Sequence, residues 1–199
     1  MWYNRAKKFI GEIPMIVQTH YKERTAAEQL SKGLALLFRA AGDRPLVFVC
    51  IGTIKAIGDA LGPMIGTLLQ DSELKNAHVY GTIKEPVHAL NLHDTMKEIQ
   101  QKYDNPFVVA IDASLGHLHH IGYIQLLEGP LFPGNSMKKQ LPEVGDIHIK
   151  GIVNTTGPYN YMMLQTANEK SVRSMAKTIA SALFNAAAKR HNKAVDEVV

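Results

Sequence analysis

The sequence predicts an α/β fold of three layers, α/β/α, around a mostly parallel central sheet. Three observations lead there. Leu46–Ile51 and Phe107–Ile111 are uninterrupted apolar runs, the pattern of strands covered on both faces. Stretches with apolar residues three and four apart, the helical repeat, lie between the runs. Strand and helix signals alternate along the chain, which favours a sheet held between helical layers.

Each element follows from local pattern. Ile13–Val17 suits a short edge strand. Ala26–Ala40 reads as a helix with Leu30, Leu34, Leu37 and Phe38 near one face, stopped by Gly42–Pro45. Pro45 and Gly52 bound the first buried strand. A second helix should start near Asp59, because an aspartate accepts the orphan N–H groups of a first turn. Pro63 is tolerated there, where its missing N–H costs little. Ala77–Gly81 suits a strand and Leu92–Tyr103 a helix, ended before Pro106. Phe107–Ile111 should be a strand that ends by delivering Asp112. Gly122–Leu127 and Ile147–Val153 suit two more strands, with turns at Gly129–Pro133 and Pro142–Gly145. A last helix spans about Tyr161–Arg190, long enough to expect a kink or break. Residues 1–199 read as one domain, with no linker or internal repeat.

Bulk properties narrow the function classes. No apolar run reaches the roughly 18 residues of a membrane span, and the start of the chain lacks the apolar core of a signal peptide. A cytoplasmic protein with no membrane partner is expected. The net charge of +4 comes from short, dispersed basic groups such as Lys7–Lys8, Lys138–Lys139 and Lys189–Arg190. A nucleic-acid partner is therefore not expected. Cys50 is the only cysteine, inside an apolar run, so it reads as an inert core thiol. The amphipathic terminal helices would also suit a homodimer, although core packing explains them equally well.

The candidate site follows from the sheet. Parallel strands point their C-terminal ends to one edge, where ligands bind. One central strand leads to the loop Gly52–Gly58, which holds Thr53, and then to Asp59; the other leads to Asp112. Two close carboxylates favour one shared proton, so one could activate water while the other donates a proton. The same pair could hold a metal. Alternatively, Asp59 is a helix cap and Asp112 accepts turn N–H groups. Glu85, His88 and Asn91, after the Ala77–Gly81 strand, are candidates for the same rim, as is Asn154 after the last strand. His117, His119 and His120 form a dense group that fits no zinc pattern. Asp146 reads as a turn residue. Neither a dinucleotide nor a P-loop fingerprint is present, and no nucleophile elbow surrounds Ser114.

Four separated segments in one order, IGTIKAIGDALGPMIGTLL, YGTIKEPVHALNL, AIDASLG and LPEVGDIHIKGIVN, resemble the YyaC family of spore-protease-like sporulation proteins over about residues 45–185. That family in turn resembles the spore germination protease, an atypical aspartic peptidase, and the hydrogenase maturation peptidases, whose fold the resemblance implies. By it, Asp59 and Asp112 correspond to the two catalytic aspartates of the germination protease. Gly52, Thr53, Gly58, Glu85, His88, Asn91 and Asn154 are the candidate binding residues around them, although the two glycines also suit tight turns or close packing, and Glu85 and His88 also suit structural or exposed roles. The implied activity is sporulation-associated endopeptidase action through a water activated by two carboxylates. The substrate would be a spore protein or peptide, in the cytoplasm of the sporulating cell or in the spore. No cofactor and no resident metal are expected. Ile54 departs from the family, which commonly carries an aspartate there. Two alternatives accompany this reading: a noncatalytic sporulation factor that binds a protein, and a maturation peptidase that recognises a metal carried by its substrate.

Overall fold

In a computed structural model, residues 14–72, 74, 76–133 and 141–196 are described. Six strands and five α-helices follow in the order β1 (Met15–His20), α1 (Ala26–Ala40), β2 (Leu46–Cys50), α2 (Leu61–Asp71), β3 (His78–Tyr80), α3 (Leu92–Lys102), β4 (Phe107–Gly116), β5 (Tyr123–Glu128), β6 (Ile147–Thr155), α4 (Asn160–Gln165) and α5 (Glu169–Asp196). One sheet orders the strands β1-β5-β6-β4-β2-β3. From β3 to β6 every neighbouring pair is parallel, whereas β5 runs antiparallel to both its neighbours, β6 and β1. The three-layer architecture thus holds, with an antiparallel margin at one side. Ile13 and Lys138–Lys139 lie outside the described residues.

The apolar runs are explained by what covers them. In β2, Leu46, Phe48 and Cys50 face the core built with α1, α2 and α5, while Val47 and Val49 face a second core with α3. Both faces are dry, so alternation disappears from the sequence. On α1, Leu30, Leu34 and Phe38 are fully buried and Leu37 packs partly against them, as the repeat requires. On α3, Leu92, Met96 and Ile99 do the same against the other face.

One element breaks as its length suggested, and one runs on further than the sequence reading. The C-terminal helix is broken into α4 and α5 around Thr166–Asn168. Asn168 starts α5 afresh: its side-chain oxygen accepts the Ser171 N–H at 3.0 Å, and its carbonyl accepts the Val172 N–H at 3.0 Å. The strand carrying Asp112 does not end at Ile111 but runs on to Gly116, because β6 continues to pair with it.

Asp146 is structural, as its turn context indicates. Its carboxylate accepts both oxygens' worth of bonding from one Arg44 nitrogen, at 2.9 and 3.0 Å, and takes the Val108 N–H at 2.9 Å. Both side chains of this pair are mostly buried. Removing one partner of such a pair strands the other charge. Asp146→Ala should therefore cost about 3 kcal/mol of unfolding free energy, read from urea denaturation; a loss within error of zero would show that Arg44 is satisfied elsewhere.

Candidate functional site

β2 stops pairing with β4 at Cys50 and Ile111. Two further bonds hold the departing chain: Ile51 N–H to the Ile111 carbonyl at 2.7 Å, and Gly52 N–H to the Val87 carbonyl at 2.8 Å. Gly52 then turns with φ +142°, and a Cβ there would collide with the Asp59 carbonyl. Only glycine lets the loop fold back this closely. The next residue binds the acid. Thr53 donates both its backbone N–H and its hydroxyl to Asp59 Oδ2, each at 2.9 Å.

These bonds show that Asp59 is not a side-chain cap of α2. The helix begins at Leu61 with Ala60 at its cap position and no side-chain cap bond. The Asp59 carboxylate is therefore turned toward the end of β2 and away from the helix. Gly58 seats the loop from behind: its N–H bonds the Leu164 carbonyl at 2.8 Å, and it lies directly against Val153 and Ala167.

Asp112 stands one residue past the last β2–β4 pair. One flank remains paired to β6, where Lys150 is its register partner. The other flank faces the position that β2 has vacated. Strand alternation puts Asp112 on the face of Val108 and Ala110, the side of α3. Its Oδ1 accepts the Ala113 N–H at 2.8 Å. Burial, reinforced by the negative charge of Asp59, pushes its carboxyl up from the ordinary range to about 8. The Ala113 N–H and the Lys150 ammonium act in the opposite direction without cancelling that rise. Burial in turn lowers Lys150, against the pull of Asp112.

Lys150 was not among the residues singled out from sequence. A signal existed: it is the lone cation in the apolar stretch Ile147–Val153, and period two places it on one face with His148. His148 is fully buried, bonds the Gly129 carbonyl through Nδ1 at 2.9 Å, and has no partner at Nε2. Burial brings it down to about 4, so it is neutral at pH 7.

The remaining candidates separate into two places. Glu85, His88 and Asn91 line a cavity of about 770 Å³ beside β3, and neither Asp59 nor Asp112 borders it. Asn91 does not cap α3 with its side chain; its oxygen accepts the His88 N–H at 2.8 Å and its amide donates to the Pro86 carbonyl at 3.0 Å, locking that turn. Asn154 ties β6 to α4 by donating to the Met163 carbonyl at 2.8 Å, a structural role. His117, His119 and His120 sit on an exposed single turn, and among the described residues no three His, Cys, Asp or Glu side chains converge as a metal set. Cys50 is buried, and burial raises its thiol far beyond reactive range. Ser114 donates to the Leu115 carbonyl and meets no base.

Comparison with known proteins places this framework. Residues 18–182 match the family described as "Protein of unknown function (DUF1256)". Over 163 residues the chain is 44% identical to the "Uncharacterized protein YyaC" of Bacillus subtilis (strain 168), covering 82% of this chain and 80% of that protein. The matched span includes every candidate from Gly52 to Asn154. On both matches the chain belongs to the DUF1256 family and is a relative of YyaC.

Proposed function

We propose that the chain is an aspartic-type endopeptidase acting on a spore protein or peptide, with Asp59 and Asp112 as its catalytic pair and a fold shared with hydrogenase maturation peptidases. The observation that supports it is the environment of Asp112: a carboxyl held protonated near neutral pH, with Asp59 contributing to that effect. A carboxyl held protonated beside a second acid suits the role of general acid.

The chemistry needs no covalent intermediate and no cofactor. Asp59, oriented by Thr53, takes a proton from water as the water oxygen bonds to the scissile carbonyl carbon. Asp112 gives its proton to the carbonyl oxygen. The tetrahedral diol then collapses: the C–N bond breaks, Asp59 returns its proton to the leaving amine, and Asp112 regains one from a diol hydroxyl. Lys150 tunes Asp112 electrostatically from the neighbouring strand.

A second reading has an observation of its own. The cavity beside β3 does not include the carboxylates, which favours a noncatalytic factor that binds a protein through that surface. The metal-recognising alternative has less support, because His88 borders that cavity and, among the described residues, no metal-ligating set of three forms.

Loss of either acid separates the first two readings. Asp59→Asn and Asp112→Asn should each slow hydrolysis of an acid-soluble spore-protein extract by about 10²–10⁴-fold, with far-UV circular dichroism unchanged. Inactivity of the wild-type chain on that extract and on labelled casein would sink the peptidase. Stability adds a second check. A carboxyl raised from the usual range to about 8 binds its proton more tightly when folded. Its stabilising contribution is complete at acid pH, below the unfolded value, and is lost as pH rises to about 8. Asp112→Asn should therefore flatten the decline in stability between pH 5 and pH 9 and leave the variant more stable at pH 9 by about 1–3 kcal/mol; parallel curves for the two proteins would contradict the shift. Lys150→Met removes a charge that lowers Asp112, so the alkaline limb of the rate profile should move upward by about half a pH unit. A downward move would reverse the assignment.

A further inference from the structure

We infer that the outer edge of β3 binds an extended peptide segment, which joins the sheet as an added strand. Strand addition goes beyond the proposed peptidase and can be read without hydrolysis.

β3 ends the strand order, and among the described residues no strand pairs with its outer side. An edge of this kind presents unpaired N–H and C=O groups, and proteins ordinarily cover or distort it. Here the edge is recessed instead. The cavity of about 770 Å³ is bordered by all three residues of β3, by Gln70 of α2 and by Thr95 and Glu98 of α3. The two helices pack on opposite faces of the sheet. The space that touches both helices and the whole strand lies beyond the sheet edge. Its size falls in the range of ligand clefts, and its walls are already set: the His78 ring stacks on Tyr103 with centroids 4.3 Å apart, and Tyr80 donates to Glu98 at 3.3 Å.

The occupant follows from the backbone. A row of main-chain donors and acceptors along a strand is satisfied by another extended main chain, whatever its sequence. Beyond β3 the chain returns at Val87, which bridges Ile51 in parallel and accepts the Gly52 N–H. A strand added along β3 therefore runs outside the Val87 segment, with Val87 and Ile51 between it and β4.

The test uses the full chain carrying Asp59→Asn and Asp112→Asn, so that binding is measured without cleavage. A phage-displayed library of random dodecamers is selected on it, and the recovered peptides are synthesised. Hydrogen exchange at His78, Val79 and Tyr80 should slow by about tenfold on peptide addition, and N-methylation of alternate peptide backbone nitrogens should weaken binding by about tenfold in one register only. Gln70→Trp, which fills the rim from an exposed helix position, should weaken binding with an unchanged melting temperature. Protection elsewhere, indifference to N-methylation, or recovery of no binder above an uncoated-surface control would overturn the inference. Wild-type hydrolysis distinguishes the two readings: protection of β3 without hydrolysis keeps the binding edge and removes the peptidase, and hydrolysis without protection does the reverse.

Discussion

The unequal lengths of β2 and β4 govern the candidate site. Their ladder ends at Cys50 and Ile111, yet β4 continues along β6 to Gly116. A strand that outlasts one neighbour but keeps the other has a flank without a strand partner. Asp112 is the first residue in that position. The chain leaving β2 must turn away at once, and Gly52 allows it to do so against the backbone of Asp59. One mismatch in strand length therefore leaves Asp112 without a β2 partner, and the turn at Gly52 brings Asp59 near enough to act on it electrostatically.

The electrostatics follow from the same arrangement. Within a continuous sheet an acid at this position would be enclosed on both sides. At the open flank it keeps some exposure, yet burial remains the largest influence on it. Asp59 adds to that influence, and Lys150 on the opposite flank works against it. The two acids are held by different means. Thr53 gives Asp59 two donors on one oxygen, whereas Asp112 receives only its neighbour's N–H. Two identical side chains thus sit in unlike surroundings, and it is Asp112 whose proton is held.

The sequence made the strands and their cores legible because doubly covered strands lose alternation, and Leu46–Cys50 is a plain example. α1 was readable to its ends, since its repeat is strong and its turn residues are clear. Asp59 and Asp112 were readable as acids that follow buried apolar runs. The end of β4 was not, because pairing with β6 depends on a partner about forty residues away, outside any local window. Lys150 was missed for the same reason: its importance comes from the register partner across the ladder. The break before α5 was expected in kind, and its position rests on one polar residue, Asn168. Glu85, His88 and Asn91 were grouped with the acids because they follow a neighbouring strand, yet they border the cleft at β3.

The antiparallel margin has a consequence for how this molecule is made. β1 pairs with β5, and Gln18 meets Gln125 across a separation of 107 residues. Contacts so distant along the chain must await loop closure, which slows folding. During synthesis the first strand leaves the ribosome well before its partner exists. Until then its only partner in sequence reach, among the described residues, is α1, which packs against it.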